Sequence, residues 1–436
     1  MATTTEEWVE VHSPYNGEVV GRAPKSGADD ARRAVDAASR ALESPLPAHE
    51  RAAILDRTAG LLRERHEDMA RTICAEAGKP IKTARVEASR AVSTYTFAAV
   101  EARKLAGDVV PMDAAEAGEG KVAFTLRRPI GVIGAISPFN FPCNLVAHKL
   151  APALAAGCPV VLKPASQTPL SALLLAELEQ EAGLPAGWLT VLVGPSAEIG
   201  DVLVEDERVR LELGNSTPVV VAADADLDLA ATKLAANAFS FAGQSCISVQ
   251  RIYVERSALD GFLERFLPQV EALVVGDPAD EATDVGPVID EDARTRIAEW
   301  VEEAQAAGAK LLVGAADTGL LGPIVLAEAP ETSHVVCDEV FGPVCVVNAV
   351  DSLEDAYARA NGTDYGLQAG VFTGSISTAL AAAQALDFGG VTVNEAPTFR
   401  ADQMPYGGVK GSGNTKEGPA YTIREMTEER LVVLQA

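Results

Sequence analysis

Cysteine 246 stands in FSFAGQSCISVQR, residues 239–251, directly after Gly243, Gln244 and Ser245. A lone cysteine is usually a buried small hydrophobe. Small and polar neighbours point instead to a loop with open access, where a thiolate can act as a nucleophile. Upstream, Glu212 sits in LELG between Leu211 and Leu213. Apolar neighbours raise the pKa of a carboxylate toward the range of a general base, although an acid at a strand end can equally be solvated. Asn140, between two phenylalanines in SPFNFP, is a neutral amide that can either donate to a developing oxyanion or form a turn. Arg400, in PTFRADQ, follows a predicted strand and can pair with a carboxylate or phosphate on a ligand, or lie on the surface.

The other cysteines (Cys74, Cys143, Cys158, Cys337 and Cys345) stand singly, with no C-x-x-C pair and only 5 histidines, so neither a disulfide frame nor a metal site is expected. A net charge of −26, from 62 acidic against 36 basic residues, would repel a phosphate backbone and argues against nucleic-acid binding. There is no apolar run of the roughly 18 residues that a membrane span needs. The stretch MATTTEEWVEVHSPYNGEVV has neither the basic nor the apolar part of a signal peptide. A cytoplasmic protein without membrane association is the expectation.

These groups must be held by something larger than one core, since 436 residues exceed what a single core sustains. Residues 27–75 and 83–106 have helical periodicity, broken at SPLPAHE and AGKP. Beyond them, VAFTLRRPIGVIGAI reads as a strand arm leading into a buried strand. CPVVLKPAS and LTVLVG read as further strands, with LVAHKLAPALAAG and PLSALLLAELEQEAG as helices between them. Alternation of this kind predicts a doubly wound α/β sheet with ligands at the strand carboxyl ends, in SPFNFP, LKPASQTP and LVGPS. A second α/β run begins at STPVVVAADADLDLAATKLAANAFSFAGQSC and continues through IYVERSALDGFLERFL, AKLLVG, CVVNAV, AGVFTG and GGVTVN.

Six motifs occur in a fixed order: SPFNFP (137–142), LKPASQTP (162–169), LELG (211–214), GQSC (243–246), EVFGP (339–343) and PYGGVKGSG (405–413). In them the chain resembles the NAD(P)-dependent aldehyde dehydrogenase superfamily over nearly its whole length. GQSCISVQR and NEAPTFRADQMPYGGVK are most similar to the lactaldehyde and succinic semialdehyde types.

The resemblance implies a Rossmann-type cofactor domain in residues 1–117 and 133–211 and a second α/β catalytic domain in 212–410. A small β oligomerisation arm and tail, 118–132 and 415–436, would build a homodimer or homotetramer. It also implies oxidation of a small hydroxylated or anionic aldehyde with NADP or NAD. Cys246 would form a thiohemiacetal and then a thioester, Glu212 would activate the releasing water, and Asn140 with the Cys246 N–H would form the oxyanion hole. Ile136, Ser137, Pro138, Phe139, Lys163, Ser166, Glu339 and Phe341 would hold the cofactor, and Arg400 an anionic substrate. Ser166 stands where NAD-preferring relatives often carry a glutamate, so a 2′-phosphate would not be repelled.

One departure stands out. DERVRLELG runs directly from Arg210 to LELG, about 25 to 30 residues short of the family pattern, the size of one strand-helix-strand unit. FTGS, which belongs in that unit, occurs only at 372–375. The expectation is one hybrid strand in VRLELG and a dinucleotide site that lacks a helix amino terminus. The alternative function is therefore a thiolate esterase, or an inactive structural subunit. Asn215, where a second glycine is usual, is expected to matter little.

Overall fold

The computed structural model describes residues 7–204, 213–314 and 320–435. Helices Ala28–Ala41, Ala48–Glu64, His66–Ala77 and Ile81–Lys104 occupy the Ala-rich amino-terminal stretch, with breaks at SPLPAHE and AGKP. An antiparallel pair, Trp8–His12 with Val19–Pro24, precedes them and is not anticipated by the sequence reading.

The first parallel sheet has the order Ile133–Ile136, Val160–Lys163, Leu189–Val191. Helices Asn144–Ala156 and Leu170–Glu181 make the crossovers. Val160–Lys163 is buried along its length, as a central strand in a parallel sheet must be. Ile133–Ile136, expected to be buried, is an edge: Gly134 and Ile136 are exposed, and among the described residues no strand pairs with its outer side. An unbroken apolar run does not reveal how many neighbours a strand will have. The expected hybrid strand falls largely on 205–212, outside the described residues; 213–216 form no strand, and the next one starts at Thr217.

Among the described residues the second sheet has seven strands in the order Lys310–Val313, Ile324–Ala327, Val344–Val350, Val249–Glu255, Thr217–Val221, Gln368–Phe372, Gly390–Val393. Only the first pair is antiparallel. Two cores result. One packs Leu55, Tyr95, Leu150 and Leu175 against Leu162; the other packs Phe239, Phe262 and Ile297 against Val219, Ile252 and Val346. Ile423, from helix Pro419–Glu425, returns to the first core after the second sheet is complete. Strand Thr427–Gln435 pairs antiparallel with Lys121–Pro129, and Val109–Val110 completes that three-stranded sheet. Among the described residues no helix is long and apolar enough to cross a membrane.

Candidate active site

The Cys246 loop leaves helix Leu227–Phe239 and enters strand Val249–Glu255. Phe241 and Ala242 take left-handed backbone (φ 52° and 53°), a conformation that non-glycine residues hold only when packing imposes it. Gly243 follows at φ +70°, and a Cβ there would lie 2.0 Å from the Gly342 carbonyl oxygen. Only glycine allows the Cys246 loop to rest on the EVFGP turn. Cys246 is half-buried. Its Sγ lies 2.9 Å from the Tyr406 hydroxyl, and its carbonyl accepts from Thr217 Oγ1 at 3.4 Å.

Asn140 reaches the same loop, where its Nδ2 donates to Gln244 O at 3.2 Å. Gln244 braces the loop in turn: its Nε2 donates to Phe241 O and Pro287 O, and its Oε1 accepts from Ile289 N. Next to Asn140, the Lys79 ammonium is buried 3.8 Å from the Phe141 ring centroid and 4.4 Å from that of Phe241. It donates to Asn140 O at 2.7 Å and pairs with Glu87. Burial pulls its pKa down, and Glu87 opposes this. Glu87 also accepts from Cys143 N and Asn144 N, capping the helix that follows Asn140. Sequence reasoning missed this pair, because Lys79 meets Asn140 across 61 positions of chain.

Of the residues expected to hold a cofactor, Ile136, Ser137, Pro138, Phe139, Lys163 and Ser166 lie along the carboxyl ends of the first sheet, and Glu339 and Phe341 on the turn before strand Val344–Val350 of the second. Ile136 and Pro138 are exposed, and Ser137 N donates to Lys163 O at 3.1 Å. Ser137 Oγ is buried with no hydrogen-bond partner among the described residues. Lys163 is buried, donates to Pro164 O at 3.1 Å and has its pKa lowered by burial. Ser166 Oγ donates to Gly194 O at 3.0 Å. Phe139 and Phe341 meet edge to face, centroids 5.7 Å apart. Burial raises the Glu339 carboxyl, against the Asn215 N–H that it accepts at 3.0 Å and the nearby Arg296. An unsatisfied hydroxyl, an ammonium with donors to spare and paired aromatic rings fit the ribose and ring of a dinucleotide.

Glu212 lies outside the described residues. The chain resumes at Leu213, whose N donates to Ser412 O at 3.0 Å, while Gly214 O accepts from Ser412 Oγ at 2.7 Å. PYGGVKGSG thus acts as a turn that holds Leu213 and Gly214 in place. Asn215 does more than expected, its Nδ2 tying Thr217 Oγ1 to Gln368 O at 2.8 and 3.0 Å.

Arg400 departs from the expectation of a cation open to ligand. Its side chain is 6% exposed, is bonded to Glu417 and lies 3.9 Å over the Tyr406 ring. Its charge is compensated inside the protein: burial pushes its pKa down, and Glu417, with Tyr406 and Asp402, more than offsets that. Burial pushes Glu417 up, but Arg400 and Lys149, 3.8 Å away, bring it to about 2. Beside this pair Asp402 joins His148 and Arg90, at 3.2 and 3.0 Å. Burial, reinforced by Arg400, lowers His148 to about 4.

A sequence model of the Aldehyde dehydrogenase family matches residues 1–211 and 207–432. The 3-sulfolactaldehyde dehydrogenase of Priestia aryabhattai is 43% identical over 456 aligned positions, covering 99% of this chain and 96% of its own. Among solved structures, aldehyde dehydrogenase 21 from Physcomitrella patens, in complex with the reaction product succinate, superposes with a TM-score of 0.95 at 36% identity, covering 100% of this chain and 96% of its own. A glyceraldehyde-3-phosphate dehydrogenase from Methanocaldococcus jannaschii, complexed with NADP, gives 0.94 at 35% identity and covers 100% of both chains.

Proposed function

The chain belongs to the aldehyde dehydrogenase family, and on that premise we propose that it oxidises a short hydroxylated or anionic aldehyde to its carboxylic acid with NADP or NAD. The observation that carries this reading is the convergence of Cys246 and Asn140 on one braced loop, lying against the EVFGP turn. Cys246 Sγ adds to the carbonyl carbon, and charge moves from sulfur to oxygen. Asn140 Nδ2 and the Cys246 N–H receive that oxyanion. A bound nicotinamide supplies the hydride acceptor. Cys246 then carries the acyl group as a thioester, and Glu212 takes a proton from the water that releases it.

Ser137, Lys163, Glu339 and the Phe139–Phe341 pair are the groups proposed to hold the cofactor, with Ile136, Pro138 and Ser166 beside them. The substrate class is supported by the relatives, whose names specify a sulfonated lactaldehyde, a succinate product and a phosphorylated glyceraldehyde. We also propose that the segment after Arg210 lacks one strand-helix-strand unit. The family match divides at 207–211, and the first sheet has three strands among the described residues. Dinucleotide binding then relies on side chains more than on helix amino termini. Exposed Val122, Leu126, Leu431 and Val433 on the small sheet support assembly of a homodimer or homotetramer through the arm and tail, in the cytoplasm.

Steady-state formation of reduced nicotinamide from succinic semialdehyde, 3-sulfolactaldehyde and glyceraldehyde-3-phosphate tests the reading, with Cys246→Ser expected to abolish it. Ester hydrolysis that is lost in Cys246→Ser, with no reduction of either nicotinamide, would return the thiolate-esterase reading.

A further inference from the structure

The Tyr406 hydroxyl lies 2.9 Å from Cys246 Sγ, and the residue is 2% exposed. Its ring packs with Ile247 and Leu367. Its backbone exchanges two hydrogen bonds with Glu417, Tyr406 N to Glu417 O at 3.1 Å and Glu417 N to Tyr406 O at 2.6 Å. The Arg400 guanidinium covers the ring face at 3.9 Å and is itself held by Glu417. A phenylalanine would fill the same space without placing a hydroxyl on the sulfur. A cation over the ring draws electron density from the phenol and makes its O–H a stronger donor. Among the described residues, the charged groups clustered around Arg400 and Tyr406 include Asp402 and Glu417 on the same segment, His148 and Lys149 on helix Asn144–Ala156, and Arg90 on helix Ile81–Lys104.

We propose that Tyr406 is a catalytic residue that donates a hydrogen bond to the Cys246 thiolate, stabilising the charged nucleophile and aiming Sγ, with Arg400 positioned to strengthen that donor. This rests on Cys246 being the nucleophile. Tyr406 keeps its proton throughout. The bond is strongest while the charge is on sulfur, so it trades intrinsic nucleophilicity for a larger thiolate fraction.

The test follows alkylation of the Cys246 peptide by iodoacetamide across the titration of its thiol, in the full chain and in Tyr406→Phe. A lost hydrogen bond to a charged sulfur should raise the alkylation midpoint by about one pH unit, which is roughly tenfold in thiolate fraction near neutrality. Because nucleophilicity rises with thiol basicity, the variant should react about threefold more slowly near neutral pH and about threefold faster above both midpoints. The two curves therefore cross, which a merely loosened site would not produce. If Tyr406→Phe does not fold, 3-fluorotyrosine at 406, close in shape and a stronger donor, should lower the midpoint. Superimposable curves, or an unmoved midpoint with 3-fluorotyrosine, overturn the proposal. Aldehyde oxidation that persists in Cys246→Ser overturns the reading beneath it instead.

Discussion

The carbonyl oxygen of Gly342 occupies the space that a side chain on Gly243 would need, 2.0 Å from the Cβ position. The nucleophile loop and the turn carrying Glu339 and Phe341 are therefore one packed unit. Gly243→Ala adds both this clash and the strain of φ +70°. Turnover should fall at least tenfold, of the order expected when a reacting group is displaced by an ångström, and the melting temperature should drop. An alanine variant with wild-type turnover would show that the two loops need not touch.

Lys79 and Glu87 form a buried ion pair that also holds the Asn140 carbonyl and the start of helix Asn144–Ala156. Removing one partner strands the other charge, so Lys79→Met should cost about 3–5 kcal/mol in a denaturant titration. Adding Glu87→Gln should recover part of that loss. Two single losses that simply add would mean that the pair is not coupled.

Ser166 gives its hydroxyl to Gly194 O and brings no negative charge to the crevice. Ser166→Glu should raise the KM for NADP at least tenfold through repulsion of the 2′-phosphate, while leaving that for NAD nearly unchanged. Equal changes in both would remove Ser166 from the ribose site.

Burial raises the carboxyl of Glu179 to about 7 although Tyr95 donates to it, and burial raises Glu76 to about 7 as well. The folded chain binds these protons more tightly than the unfolded one, where glutamate titrates near 4.3. Their stabilisation is complete below about pH 4 and lost as the pH rises through about 7. The melting temperature should fall across that window, and Glu179→Gln should remove about half of the decline, leaving the share of Glu76. An unaltered slope in the variant would show that Glu179 is ionised in the fold.

The helices, most strands and the loops at the strand ends were legible because periodicity and punctuation are local signals. The relationships that organise the site were not. PYGGVKGSG read as a glycine turn, and its one aromatic residue gave no sign that it would meet a sulfur 160 positions earlier. Arg400 read as a cation available to ligand because a sequence does not show that Glu417 will neutralise it. Ile133–Ile136 read as buried because its residues are apolar, yet it is an edge. In the pair Trp8–His12 and Val19–Pro24, Val9 to His12 does alternate apolar and polar, but the strands are only 5 and 6 residues long and mostly exposed or half-buried, too short a signal to separate a strand from a loop.

Helix Pro419–Glu425 brings Ile423 back to the core built by residues 52–188, and Glu417, just before it, closes the cluster over Tyr406. The reactive centre is thus assembled from contacts of very high contact order, which form late when a chain folds. During synthesis the first core can condense well before residue 406 leaves the ribosome, and the nascent enzyme remains inert until then. Until Tyr406 and Glu417 arrive, the Cys246 thiol lacks its proposed hydrogen-bond donor and has the reactivity of an ordinary cysteine.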